Sequence, residues 1–181
     1  MDPADKLVDK LNMSIPIVTA IIERKRGKEK EILVQTRWKL DKDPKYSGTL
    51  EIPGGWIDKF ENVYDALRRE VFEETGLKVI KIKPDIKTKI HSPRDDGAFA
   101  FLPFCCNQQL KGGKPWIGPV FVCEVKDEEP KPHKNEVKDI KWIKVSELKR
   151  MIKETPEKFF TLQLPTLDFY LNYKDSEDPL T

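Results

Sequence analysis

Glu70, Glu73 and Glu74 fall at spacing i, i+3 and i+4 in a run with helical periodicity, Asn62 to Thr75. With Val63 set at zero and ~100° per residue, Leu67 and Val71 form an apolar stripe at ~40° and ~80°. Glu74 falls inside that stripe at ~20°, Glu70 beside it at ~340°, and Glu73 at ~280°. Carboxylates facing an interior are costly unless paired or bound to a cation. Three so close repel one another, and one should protonate unless something positive sits there. Clustered carboxylate oxygens suit a hard cation such as Mg²⁺ or Mn²⁺. Arg69 supplies part of the compensation, and Gly54 and Gly55 allow a tight loop. The glutamates taken alone read as a solvated acidic helix face, since charged faces usually are; the flanking residues reverse that weighting.

Gly55 is followed by five residues and Glu61, then by seven residues and Arg69-Glu70-Val71-Phe72-Glu73-Glu74-Thr75-Gly76-Leu77. This resembles the Nudix box, G-x5-E-x7-R-E-U-x-E-E-x-G-U with U a bulky aliphatic residue, and every fixed position matches. The resemblance implies the Nudix fold, an α/β/α sandwich with a mixed β-sheet, and hydrolysis of a nucleoside diphosphate linked to another moiety. It implies that Glu70, Glu73 and Glu74, with the Gly55 loop, hold one to three Mg²⁺ or Mn²⁺ ions. Glu61 either joins that shell or is anchored by Arg69, whose family role is to orient a carboxylate. Glu73 or Glu74 serves as ligand and general base, with Glu70 a ligand. Some members draw the base from a downstream loop, and Glu136, just ahead of the last strand, sits where such a residue would come from.

Within that family the expected substrate is a nucleoside triphosphate, ordinary or oxidised, cleaved to the monophosphate and pyrophosphate. The alternative is ADP-ribose, favoured by Pro93, 16 residues after Leu77. A non-catalytic nucleotide-sensing module is a third reading, although such modules typically lose box glutamates that are all present here. An isopentenyl diphosphate isomerase needs a cysteine upstream of the box, and none precedes Cys105. For substrate contacts, Arg37 at a strand end could grip a phosphate bidentately. Trp38, Trp56, Phe104 and Trp116 could stack a base, the commoner use of aromatics being core packing. Gly54 lies in the phosphate loop, and Gln108 and Gln109 could hydrogen-bond a base edge.

The elements that must position these groups follow from pattern. Asp2 to Asn12 reads as a short helix, with Pro3 at its first position. Ile15 to Glu23 and Glu31 to Arg37 read as a hairpin around Gly27. Thr49 to Ile52 is a short strand stopped by Pro53-Gly54-Gly55. Asn62 caps the box helix, with Asp65 completing a box-like cap, and Gly76 closes it. Strands are expected within Leu77 to Ile90 and over Ala98 to Phe104, Ile117 to Val125 and Val137 to Ile143. Ser146 caps a helix through Lys153, and Pro156 to Tyr173 is helical, bent or broken at Pro165. Strands interleaved with few helices mean α/β or α+β, here as a single domain over 1–181 with C-terminal helical segments over about 146–173.

The chain has 181 residues, enough for one domain with a sizeable core. Lys plus Arg is 33 and Asp plus Glu is 31, a net charge of +2, which argues against a strongly basic nucleic-acid binder. The balance is uneven: residues 58–76 hold six acids and three bases, −3, and the rest 30 bases and 25 acids, +5. An acidic cluster in a basic chain suits drawing polyphosphates toward a metal site. No run approaches the roughly 20 apolar residues of a membrane span, and the N-terminus lacks signal-peptide features. Cys105, Cys106 and Cys123, without CxxC spacing, fit core-packed reduced thiols of a cytoplasmic protein. The expected partner is a nucleotide substrate, with no stable nucleic-acid binding and no membrane; a homodimer is left open.

Overall fold

A computed structural model describes residues 12–132 and 136–173 of the chain. The helix expected over Asp2 to Asn12 lies outside these residues except for Asn12.

β1 (Ile15–Arg26) and β2 (Glu29–Arg37) form the expected antiparallel hairpin, each running further toward the turn than its apolar pattern. The turn holds Gly27 at φ +63°, a left-handed conformation that glycine adopts without a Cβ penalty. β3 (Leu50–Glu51) pairs with β2, and β4 (Gly54–Trp56) pairs with β1, so the glycine loop is itself a strand. α1 (Val63–Thr75) follows. Next come β5 (Val79–Lys83), β6 (Ile86–Lys87), β7 (Phe101–Leu102), β8 (Cys105–Gln108) and β9 (Trp116–Val125). β10 (Val137–Lys144) runs into α2 (Val145–Glu154), and α3 (Leu164–Tyr173) ends the described chain.

The main sheet has eight strands, with path β10-β2-β1-β9-β5 and β3, β4 and β8 attached to β2, β1 and β9. β1 and β9 pair in parallel and the other pairs are antiparallel, so the sheet is mixed. Strand alternation sends successive side chains to opposite faces. Val18, Ala20, Ile22, Leu33, Phe121 and Cys123 pack with Leu67 and Val71 of α1. Ile21, Ile32, Val34, Val120 and Val122 pack with Leu148 of α2 and Leu167 and Tyr170 of α3. Helices on both faces make this an α/β/α sandwich, as the sequence implies.

Several local expectations are corrected. Asn62 caps α1 through its own oxygen, which accepts from Tyr64 N–H at 2.9 Å. Asp65 instead leans on Arg68 at 3.7 Å, so no reciprocal capping box is made. α2 starts at Val145 behind Lys144, with no side-chain cap, which leaves Ser146 inside the first turn. The C-terminal helical run breaks at Phe159 and Phe160, not at Pro165. The Phe160 N–H donates to the Leu50 carbonyl at 2.7 Å, and Pro165 sits in the first turn of α3, where a missing N–H costs nothing. The strand expected over Ala98 to Phe104 is split at Pro103, which cannot donate to a ladder, and β8 begins two residues later. Cys123 is buried, but alternation on β8 leaves Cys106 exposed; all three thiols are free. Among the described residues no helix is long and apolar enough to cross a membrane.

Candidate active site

α1 turns its apolar stripe under the sheet and carries Glu70 and Glu74, both buried, along the edge of that stripe. The Glu70 carboxyl lies against the glycine loop: a Cβ on Gly55 would overlap its carboxyl carbon and both oxygens. Gly55 is therefore required for space rather than for an unusual φ. One oxygen of Glu74 accepts the Gly54 N–H at 3.0 Å and the Gln35 amide, from β2, at 2.8 Å. Glu51, on β3, is also buried and accepts from Arg37 at 2.9 Å. Burial, and then the neighbouring Glu51 charge, pushes the Glu74 carboxyl up to about 8. Burial likewise raises Glu51, against the pull of Arg37 and Lys39.

Arg69 is the hub of the box. Its Nε and Nη2 grip the two oxygens of Glu61, each at 2.8 Å. Its Nη1 donates to Glu70 at 2.6 Å and its Nη2 to the Trp56 carbonyl at 2.9 Å. Glu73 is half-exposed, 3.6 Å from the same guanidinium. The fork holds the Glu61 carboxyl down to about 2, helped by the Asp58 N–H, and Arg69 itself is raised, chiefly by that bond to Glu61. Of the two roles open to Glu61, the structure displays the anchoring one, since Arg69 takes both its oxygens.

A cleft of about 810 Å³ opens above Gly54, Gly55, Glu70 and Glu74. One bank is the loop after β2, with Lys39, Lys42 and Lys45; the other is the turn between β8 and β9, with Lys111 and Lys114. Glu136 lines the same cleft, where Lys39 and Lys42 meet its two oxygens at 2.7 and 2.8 Å. Burial works against ionisation there, but the two lysines outweigh it and hold the carboxyl at about 2.

Other expected contacts are placed differently. Arg37 lines the cleft, but its fork is spent on Asp43, at 3.1 and 2.7 Å, and on Glu51, over the Phe160 ring. In the structure that fork clamps two carboxylates. Trp38 stands outside the cleft under Lys138, 3.5 Å from its ring centroid. Gln108 is exposed and off the cleft, while its neighbour Gln109 is buried and lines it, because successive strand residues point opposite ways. Phe104 packs against Phe169 and Tyr173 of α3, whereas Trp56 and Trp116 do line the cleft. Glu73 does not line it, and among the described residues no three acidic, His or Cys side chains converge as a ready-made ligand set.

Sequence reasoning passed over Gln35 and Glu51. The available signal was a polar residue inside an otherwise apolar strand run, Leu33-Val34-Gln35 and Leu50-Glu51-Ile52.

A mixed sheet between helical layers, with a glutamate-bearing helix behind a glycine loop, defines the class. The NUDIX domain family model matches residues 13–163, and the chain belongs to that family. An RNA pyrophosphohydrolase of Bartonella henselae is 26% identical over 118 residues. The alignment covers 62% of this chain and 66% of that protein, so this chain spans just under two thirds of the relative's length. The fold is similar to the MutT protein of Methanosarcina mazei, with TM-score 0.61 at 17% identity over 91% of this chain and 96% of that one. It is similar also to the NUDIX domain of Shewanella oneidensis NrtR complexed with ADP ribose, with TM-score 0.54 at 15% identity over 83% and 88%.

Proposed function

We propose that the chain is a divalent-metal-dependent pyrophosphohydrolase whose substrate is a nucleoside triphosphate, ordinary or oxidised, cleaved to the monophosphate and pyrophosphate. One observation carries this reading: Glu70 and Glu74 are buried together against a glycine loop at the base of a lysine-banked cleft. Family membership and the named relatives support the pyrophosphate-bond chemistry.

The residues fit a hard cation. Acceptors are in excess here: the carboxyls of Glu70, Glu74 and Glu51 line the cleft, and behind Glu74 the buried Gln35 Oε1 has no hydrogen-bond partner. Clustered oxygens of this kind are stabilised by Mg²⁺ or Mn²⁺. Glu70 and Glu74, beside the Gly54-Gly55 backbone, would hold the ion, with Glu73, which stands outside the cleft, a ligand by the box pattern alone and Glu61 acting behind them through Arg69. When bound, such an ion lowers the pKa of water and neutralises phosphate charge.

The chain's own groups do the rest. Lys39, Lys42, Lys45, Lys111 and Lys114 attract and orient the polyphosphate between the two banks. Water adds its oxygen to one phosphorus, the bridging P–O bond breaks toward the other, and the water's proton passes to a box carboxylate, Glu73 or Glu74. Glu136, held at about 2 by two lysines, is a weak base while they remain on it.

The experiment is a substrate panel with product analysis: nucleoside triphosphates, oxidised dGTP, ADP-ribose, dinucleoside polyphosphates and 5′-triphosphorylated RNA, with Mg²⁺ and Mn²⁺. Monophosphate and pyrophosphate from a nucleoside triphosphate are expected. Turnover of ADP-ribose alone would replace this substrate assignment, and inactivity throughout would favour a sensing role.

A further inference from the structure

The floor of the cleft has a composition that phosphate chemistry does not require. Ile15, Ile17 and Thr19 share the face of β1 that carries Ile21 farther along. Ile17 is paired with Trp56 across the β1–β4 ladder, and Ile15 with Trp116 across the β1–β9 ladder. Directly paired residues put their side chains on the same face, so Trp56, Ile17, Ile15 and Trp116 make one apolar surface. The two tryptophans flank β1, two strand spacings across and two residues along, roughly 12 Å apart. Both line the cleft, and Trp56 is 41% exposed. The Trp56 carbonyl is held by Arg69, which fixes this surface relative to Glu70.

The two side-chain amides that line the cleft are engaged by the protein's own backbone. Among the described residues, Gln109 and Gln163 are the side-chain amides that line the cleft. Gln163 spends both ends on the backbone of Ile52, accepting its N–H at 2.8 Å and donating to its carbonyl at 2.9 Å. Gln109 donates to the carbonyls of Lys111 and Gly112. Each amide thus closes its own wall of the cleft.

We infer that this cleft takes the base of its nucleotide by stacking on the Trp56–Trp116 floor and leaves the base edge unread, so that purine and pyrimidine nucleoside polyphosphates are accepted alike. The inference rests on the proposed hydrolase reading. Every base has a π-face, so stacking tolerates any of them. A site built to hydrogen-bond a particular edge discriminates by roughly 10⁴–10⁵, because its polar groups are left unpaired by the wrong partner. Nothing of that kind is displayed by the two amides here.

The test uses the full chain with ATP, GTP, CTP and UTP under one metal condition. The four kcat/KM values should lie within about tenfold of one another. Trp56→Ala and Trp116→Ala, checked for folding by circular dichroism, should raise KM for all four by about 5- to 150-fold each, with kcat little changed. Tryptophan fluorescence should be quenched by each of the four nucleotides and not by inorganic triphosphate. A preference above a hundredfold for one base in the wild-type protein overturns the inference while leaving the hydrolase reading intact. So does an unchanged KM in both variants. Turnover of other pyrophosphates with none of the four nucleotides overturns it too; inactivity on every pyrophosphate removes it together with the reading beneath it.

Discussion

Gln35 and Glu74, 39 residues apart, meet in the buried wall of the cleft, where an amide hydrogen of Gln35 reaches a carboxyl oxygen of Glu74 at 2.8 Å. The contact orients Glu74 without bringing a positive charge to it. Beside Glu51, that leaves a buried carboxyl that is oriented by neutral donors. Gln35→Leu should therefore disturb the site more than the fold: weaker Mn²⁺ binding by calorimetry, with the thermal midpoint little lowered. Unchanged Mn²⁺ affinity would mean that Gln35 only packs.

Glu73→Gln and Glu74→Gln should each cut turnover by orders of magnitude while far-UV circular dichroism stays native. Removing a group that acts mainly in the transition state lowers kcat and kcat/KM together. Wild-type turnover in both variants would sink the mechanism.

The pH dependence has two windows of opposite sign. In the folded protein Glu74 sits at about 8 against an ordinary 4.5, so the folded chain keeps a proton that the unfolded chain has lost. Stability of the metal-free protein should then decline as pH rises from about 4.5 to about 8. Glu61 and Glu136, held at about 2 by Arg69 and by Lys39 and Lys42, act the other way: the stability they add is present above about 4.5 and is lost as pH falls toward 2. Thermal unfolding between pH 5 and 8 should show a falling midpoint that flattens in Glu74→Gln. Mn²⁺ should restore more at pH 8 than at pH 5, because the ion displaces the proton. Parallel slopes for the two proteins would contradict this.

Gly55→Ala should abolish most activity through Glu70. The added carbon overlaps the carboxyl, so either Glu70 or the loop must move. A displacement of about 1 Å can cost 10²-fold in rate. Kinetics matching wild type would show that the loop yields freely.

Arg37→Met should be costly for the fold. It leaves buried Glu51 without its cation, a situation worth about 3–5 kcal/mol, and it releases Asp43. Denaturant unfolding should show the double variant Arg37→Met/Glu51→Gln recovering part of the loss. If Arg37 served phosphate alone, stability would not change and KM would rise.

The box, its helix and its caps were legible because they are short-range: Gly55, Arg69 and Glu70 interact within a stretch whose spacing is itself the signal. Glu51 and Gln35 were harder. Alternation separates the two faces of a strand, but both faces of this sheet are covered by helices, so alternation does not mark a solvent side. Their burial follows only from where α1 docks. Gln108 and Gln109 illustrate register, since a one-residue shift exchanges the faces. The roles of Arg37 and Glu136 depended on Asp43, Glu51, Lys39 and Lys42, partners that local sequence does not select.

The Arg69 fork joins Trp56, Glu61 and Glu70, all within fifteen residues of one another. Glu136, by contrast, meets a lysine 94 residues away. The carboxylate half of the site is thus a nearly self-contained segment, while the cleft's banks come from distant loops. Insertions or exchanges in those banks could redirect what the protein accepts and leave the bond-breaking centre in place. One scaffold can then be retuned by its periphery, with the segment from Gly54 to Glu74 carried along unchanged.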